Sequence, residues 1–312
     1  MISYVTRREL IAGALLVHAI PVKAKGRIDK SRISAISDEV GLTAADAIAF
    51  AKEYGLQWLE VRNVPESKKE YAFQPEPVLK AAAASFKANG LRISFMNTSL
   101  LKFGWPGTEP VRRRPETDEA RAKRMASESE RFDKRMESLG EALNAAKILG
   151  VDKVRVFTGS RVADPRTVFP RVAETINQMA DIAAKEKIHL LIENEASQNV
   201  GTSEELAAIM EMLPSKWIGI NWDPQNALPL KEVPYPDGYN ALPKKRILNV
   251  QIKGKGVMDN PERLDWKSIL RAMQRDGYPY QIGLETHIFD GTLIQASHAS
   301  MREILRMVGE LG

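Results

Sequence analysis

Cysteine is absent from the 312 residues, which excludes a disulfide, a thiolate nucleophile and any sulfur-ligated zinc or iron–sulfur cluster. A metal ion, if one is used, must be held by oxygen or nitrogen. Histidine is scarce as well, at four positions. Neither sign of charge dominates: 45 Lys and Arg stand against 40 Asp and Glu, interleaved along the chain, and a net charge of +5 gives nucleic-acid binding weak support. Long apolar runs are missing too. The stretch 10–20 is about half the ~20 residues that span a bilayer, so no membrane anchor is expected. What is present, 44% hydrophobic and 27% charged residues, is the composition of a folded protein with one large core or two small ones.

Residues 1–24 read as an address label. Thr6-Arg7-Arg8 precedes the apolar stretch, and Val22-Lys23-Ala24 offers small residues where a signal peptidase cuts. Paired arginines point to the twin-arginine route, hence to an exported, periplasmic protein, or a cytoplasmic one if the leader is not functional. The competing reading is a buried helix or an unstructured leader.

Beyond the leader, β-rich apolar runs alternate with apolar residues at helical spacing. The candidate strands are 33–37, 58–62, 92–96, 153–157, 189–193, 217–222, 248–252 and 281–285. The helical patterns are 44–53, 78–88, 136–149, 172–184, 204–212, 266–274 and 300–308. Gly55, Gly90, Gly150 and Gly277 each follow a helical pattern and precede a strand, where a left-handed cap suits glycine. Such alternation predicts an α/β fold, with eight parallel strands closed into a (β/α)8 TIM barrel. No linker divides the chain, so residues 30–312 are expected to form one domain. Two stretches exceed ordinary loop length: 104–121, which runs into a long polar helix, and 224–245, which carries several prolines.

Glu193, Asp223, Gln251 and Glu285 stand at or just past strand ends, at intervals of 30, 28 and 34 positions. That interval is about one strand-plus-helix unit, so successive strands would bring all four side chains to the same barrel face. Three carboxylates and an amide meeting there suggest a divalent cation.

Several short motifs now line up in order. They are Asp38-Glu39 after the first strand, Leu59-Glu60-Val61-Arg62, Ile192-Glu193-Asn194, Trp222-Asp223-Pro224-Gln225-Asn226, Val250-Gln251-Ile252-Lys253 and Leu284-Glu285-Thr286. Together they resemble the sugar phosphate isomerase/epimerase family, the xylose isomerase-like TIM barrels, over nearly everything from residue 33 onward. The resemblance implies a divalent cation, usually manganese, magnesium, cobalt or zinc, held by Glu193, Asp223, a seventh-strand histidine and Glu285. Here Gln251 stands in place of that histidine. An amide oxygen is a harder, weaker donor than imidazole, which shifts the expectation from zinc toward manganese or magnesium. Without any cation, three close carboxylates would repel one another. Endonuclease IV-like enzymes share the barrel but use several histidines around zinc, and the three left after the leader are unsuitably placed. DNA repair is therefore disfavoured.

The resemblance also implies proton transfer at carbon next to a sugar carbonyl, with Glu193 and Glu285 as the catalytic pair. The products would be an isomer or epimer; if a β-substituent leaves instead, the same enolate gives a keto-glycoside lyase. Lys253, Glu60, Asn226 and Arg155 are the expected substrate contacts, with Asn194 in support. The plainer readings are strand-end acids paired with Lys or Arg for Glu193 and Glu285, a turn for Asp223, and surface charge for Lys253. A catalytically inactive carbohydrate-binding barrel is the non-enzymatic alternative. Trp105, Trp222 and Tyr235 are either sugar-stacking rings or loop packing. Lys253-Gly254-Lys255-Gly256 is only a weak hint of a phosphate cradle, so the partner expected is a small unphosphorylated sugar or keto-sugar.

Overall fold

In the computed structural model, residues 27–112, 114–254, 257 and 264–311 are described. The 1–24 leader, together with Lys255 and Gly256 of the suspected phosphate cradle, lies outside them. Eight short apolar runs form the strands: β1 (Ile33–Ala35), β2 (Trp58–Val61), β3 (Arg92–Met96), β4 (Lys153–Val156), β5 (His189–Glu193), β6 (Ile218–Trp222), β7 (Ile247–Lys253) and β8 (Ile282–Glu285). All pairings are parallel, in the order β1-β8-β7-β6-β5-β4-β3-β2. A parallel bridge between Ile36 and Glu60 brings the two ends of the sheet together. The result is a nearly closed barrel ringed by helices, a (β/α)8 architecture.

Local chemistry fixes the helices where the sequence pattern begins them. Thr43 and Thr202 each form a capping box, with Asp46 and Glu205, at the head of helices Ala44–Glu53 and Ser203–Glu211. Gly150, at φ 71°, ends helix Arg135–Leu149 and turns the chain into β4. The first strand stops at Ala35, earlier than expected, because Ser37–Val40 winds into a short helix. The last helix, Leu293–Gly309, begins well before the 300–308 pattern, since Gln295 and Ser297 interrupt the apolar spacing without preventing helix formation. Helix Asp118–Asp133 buries none of its side chains; Arg124 ties it to Glu109 and Glu116 and pairs with Glu128 one turn along. The 224–245 stretch breaks into short helical turns.

Most of the core lies between strands and helices. A smaller apolar cluster of Phe95, Leu191 and Leu248 is separate from it. Strand alternation turns Asn249, Gln251 and Lys253 to one side of β7, level with Asn221 on β6 and with Gly283 and Glu285 on β8. Gly283 is glycine for a steric reason: a Cβ there would sit 1.9 Å from Glu60 Oε1. Glu60 is fully buried and hydrogen-bonded by four donors, so it cannot simply move aside. Gly283→Ala is expected to destabilise the fold by about 1–3 kcal/mol, the usual cost of overpacking, measured by urea unfolding. Wild-type stability in that variant would show that Glu60 has room to shift.

Candidate active site

A polar cavity of about 280 Å³ opens at the C-terminal strand ends, lined in part by Arg62, Lys102, Arg155, Glu193, Asn226, Lys253, Glu285 and His287. Parallel strands deliver these side chains from β4, β5, β7 and β8 and from the loops after β2, β3, β6 and β8. Lys253 Nζ sits 2.7 Å from Asp223 Oδ2 and 2.6 Å from Glu285 Oε2. Arg155 Nη1 lies 2.9 Å from Glu193 Oε2 and donates from Nε to the Thr98 carbonyl. Across the β1–β2 seam, Arg62 pairs with Asp38 at 2.9 Å and Glu39 at 3.0 Å, and reaches within 3.6 Å of Glu285.

Burial and pairing set the charge states against one another. Burial alone would raise the Glu285 carboxyl, but Lys253, His287, Arg155 and Arg62 hold it well below the usual carboxylate range. Asp223 goes the other way: burial, with Glu285 and Glu193 nearby, overrides Lys253 and lifts it to about 6. Glu39 is raised by burial against the pull of Arg62. Burial opposes the charge of Lys253, yet Asp223, Glu285 and Glu193 together raise its pKa above the ordinary lysine value. The two carboxylates that share one ammonium therefore differ in proton affinity.

The expected residues divide into two levels. Glu193, Glu285, Lys253, Arg155 and Asn226 line the cavity. Asp223 and Gln251 are wholly buried behind it. Glu60, expected to touch substrate, is sealed inside the barrel, accepting hydrogen bonds from Ser34, Asn97, Asn249 and Gln251. Alternation along β2 points it inward, and the polar layer above covers it. Lys253 is buried in ion pairs, so the surface-charge reading is set aside. Asn194 braces the strand end, donating to the Asp223 carbonyl and accepting from the Asp223 N–H, while Asn226 donates to Glu193. The sugar-stacking reading of Trp105 and Trp222 is overturned, because both are core residues whose indole N–H groups donate to the Thr158 carbonyl and to Ser203 Oγ.

Asn97, Asn221 and Asn249 escaped sequence reasoning. The available signal was alternation: Asn249, Gln251 and Lys253 occupy every second position of one strand, as do Asn221 and Asp223 on its neighbour.

These residues fit an oxygen-bound divalent cation. Glu193, Asp223 and Glu285 each offer an oxygen, all within 4.8 Å of one another. Asp223 Oδ2 is buried without an aligned hydrogen bond even though the Lys253 ammonium is beside it. Gln251 gives its amide hydrogens to Glu60 and Asn97, and its oxygen accepts from Asn221 Nδ2, the same nitrogen that contacts Glu193. Its carbonyl is thus on the Glu193 side. A second trio, Glu39, Glu285 and His287, meets the same distance limit, with Arg62 already among its carboxylates. A proton on Asp223 would compete with a cation, so Mn²⁺ affinity is expected to fall about tenfold per pH unit below about pH 6. Calorimetric titrations at pH 5, 6 and 7 check this; equal affinities would exclude Asp223 as a ligand.

A family model described as xylose isomerase-like TIM barrel matches residues 48–308. No curated protein matches the sequence. Among solved structures, the chain is similar to an IolI protein with a bound zinc atom, at TM-score 0.64 and 14% identity, covering 90% of this chain and 99% of that one. It is similar also to an L-ribulose 3-epimerase, at TM-score 0.63 and 17% identity over 89% and 93% of the two chains. A third is the apo 3-keto-D-glucoside 4-epimerase of E. coli, at TM-score 0.62 and 15% identity over 89% and 99%. At these identities the likeness is one of fold. Among the described residues, no helix is long and apolar enough to cross a membrane.

Proposed function

We propose, for a chain that belongs to the xylose isomerase-like TIM barrel family, an enzyme that isomerises or epimerises a small sugar by moving a proton at the carbon next to its carbonyl. The observation that carries this reading is the pair of buried carboxylates, Glu193 and Glu285, that line one sugar-sized cavity together with Lys253 and Arg155. One carboxylate takes the proton and the other returns it. Glu285 is held ionised, chiefly by Lys253, so it stands in the unprotonated form a base requires, while the same cations lower its basicity. Glu193 is fixed by Arg155, Asn221 and Asn226, which leaves little rotational freedom between one transfer and the next. Lys253 and Arg155 place positive charge where a carbonyl oxygen gains negative charge.

A divalent cation held by Glu193, Asp223, Gln251 and Glu285 would supply further electrophilic stabilisation of the enediolate oxygens. All four donors are oxygens, which favours magnesium or manganese over zinc. The twin-arginine pattern within residues 1–24 supports an exported, periplasmic enzyme, and with it an unphosphorylated sugar or keto-sugar as substrate. The two sugar epimerases that share this fold add support for the substrate class.

Incubation of Mn²⁺-supplemented protein with a panel of keto-sugars in D₂O tests the reading. Deuterium is expected at the carbon next to the carbonyl, and a chelator is expected to stop its entry. If folded, Mn²⁺-treated protein exchanges no sugar of the panel, the enzymatic reading gives way to a carbohydrate-binding barrel.

A further inference from the structure

Beneath the cavity lies a set of buried amides joined donor to acceptor in one continuous network. Gln251 donates both amide hydrogens downward, to Glu60 Oε2 at 2.9 Å and Asn97 Oδ1 at 3.0 Å. Asn249 likewise gives one to Glu60 Oε1 at 3.1 Å and the other to Asn221 Oδ1 at 3.0 Å. Asn97 also donates to Glu60, at 3.0 Å. With its oxygen engaged by Asn249, Asn221 turns both of its hydrogens upward, to Glu193 Oε2 at 2.7 Å and Gln251 Oε1 at 2.8 Å.

We propose that Glu60 is a positioning residue: from inside the barrel it sets the orientation of these amides, so that Asn221 presents N–H to Glu193 and Gln251 presents its oxygen on the same side. The physical reason is that an amide has a donor end and an acceptor end of nearly equal shape, so packing does not choose between its two orientations. A carboxylate chooses, because it offers oxygens only. Were Glu60 neutral, its proton could go to Ser34 Oγ from Oε1, and Oε2 would still accept from Gln251 and Asn97. Asn249 supplies independent support. Its own oxygen is buried with no hydrogen-bond partner, so its orientation meets the needs of Glu60 and Asn221 and leaves that oxygen unpaired. Gly283 belongs to the same device, since any side chain there would collide with Glu60.

The part played by the Gln251 oxygen rests on the metal-site reading above; the positioning of Glu193 does not. Glu60→Gln keeps the shape and adds a donor, which must face either Gln251 and Asn97 or Asn249. In either orientation an amide has to flip, and Asn221 loses a partner, Asn249 in one case and the Gln251 oxygen in the other. Protein labelled with ¹⁵N in its asparagine and glutamine side chains, studied without metal, gives the test. Hydrogen-exchange protection of the Asn221 side-chain amide, which does not touch Glu60, is expected to fall at least about tenfold in Glu60→Gln, with the melting temperature within a few degrees of wild type. Unchanged protection of Asn221 would overturn the proposal. If Glu60→Gln fails to fold, Asn249→Ala cuts one of the two routes to Asn221 and is expected to lower its protection about threefold; no change there would equally overturn it. Mn²⁺ affinity of Glu60→Gln, measured by calorimetry, is expected to drop about tenfold, and wild-type affinity would overturn the role given to the Gln251 oxygen. A wild-type protein that binds no Mn²⁺ would defeat the metal reading instead, and the Asn221 readout then decides the proposal alone.

Discussion

Replacement of Glu285 by glutamine is expected to lower deuterium entry into substrate by about 10³-fold, a loss typical of removing a positioned acid or base. Glu285 lines the cavity, is only 3% exposed, and is kept ionised by the Lys253 ammonium at 2.6 Å. An amide of the same shape fills the same space but cannot take up a proton. Lys253 would still have Asp223 at 2.7 Å, so the fold should survive with a melting temperature lowered by only a few degrees. Glu193→Gln should lose net conversion of substrate to a similar degree, because turnover needs a carboxylate at both positions. Asn226→Ala removes a 3.3 Å hydrogen bond to Glu193 and a 2.9 Å one to the Asn194 carbonyl, and should cost much less. Full exchange in Glu285→Gln, with folding confirmed by circular dichroism, would remove Glu285 from the mechanism.

Lys253→Met is expected to destabilise the metal-free protein by about 3–5 kcal/mol at pH 7, the range found when one partner of a buried ion pair is deleted. Methionine restores most of the side-chain volume, so the loss is electrostatic. Asp223 and Glu285 would be left facing each other, with Glu193 close by. The pH dependence has a definite sign. Asp223 already has a native pKa of about 6, raised above its ordinary value, so the native state takes up protons there more readily than the unfolded chain does. Acidification from pH 7 toward 5 should therefore reduce the penalty of the substitution. Millimolar Mn²⁺ should recover more stability in the variant than in the wild type, since the ion replaces the missing positive charge. Urea unfolding at the two pH values, with and without Mn²⁺, checks each part. A variant as stable as wild type at pH 7 would mean that the carboxylates do not depend on Lys253 for compensation.

The barrel was legible because strand and helix periods alternate cleanly, and each β-rich run from 33–37 to 281–285 became a strand within a residue or two of its expected ends. Convergence of Glu193, Asp223 and Glu285 followed from topology alone, since parallel strands of one barrel end on one face. Depth was harder to read. Glu60 stands near the end of its strand much as the proposed catalytic glutamates do, yet a register shift beside it and the glycine at 283 let it sink into the barrel. No local feature of β2 announces a glycine on a strand far away in sequence. Trp105 and Trp222, left open between sugar stacking and packing, fold their rings back into the core. The amide network lay hidden because asparagines are common in loops, and only their every-second-residue placement on β6 and β7 shows that they face inward.

Anomalous diffraction from crystals grown with Mn²⁺ bears most directly on the account. The prediction is one strong peak at about 2.0–2.6 Å from oxygens of Glu193, Asp223, Glu285 and Gln251, with Lys253 displaced from between its two acids. A map with no peak among these residues, and Lys253 still bridging Asp223 and Glu285, would contradict it.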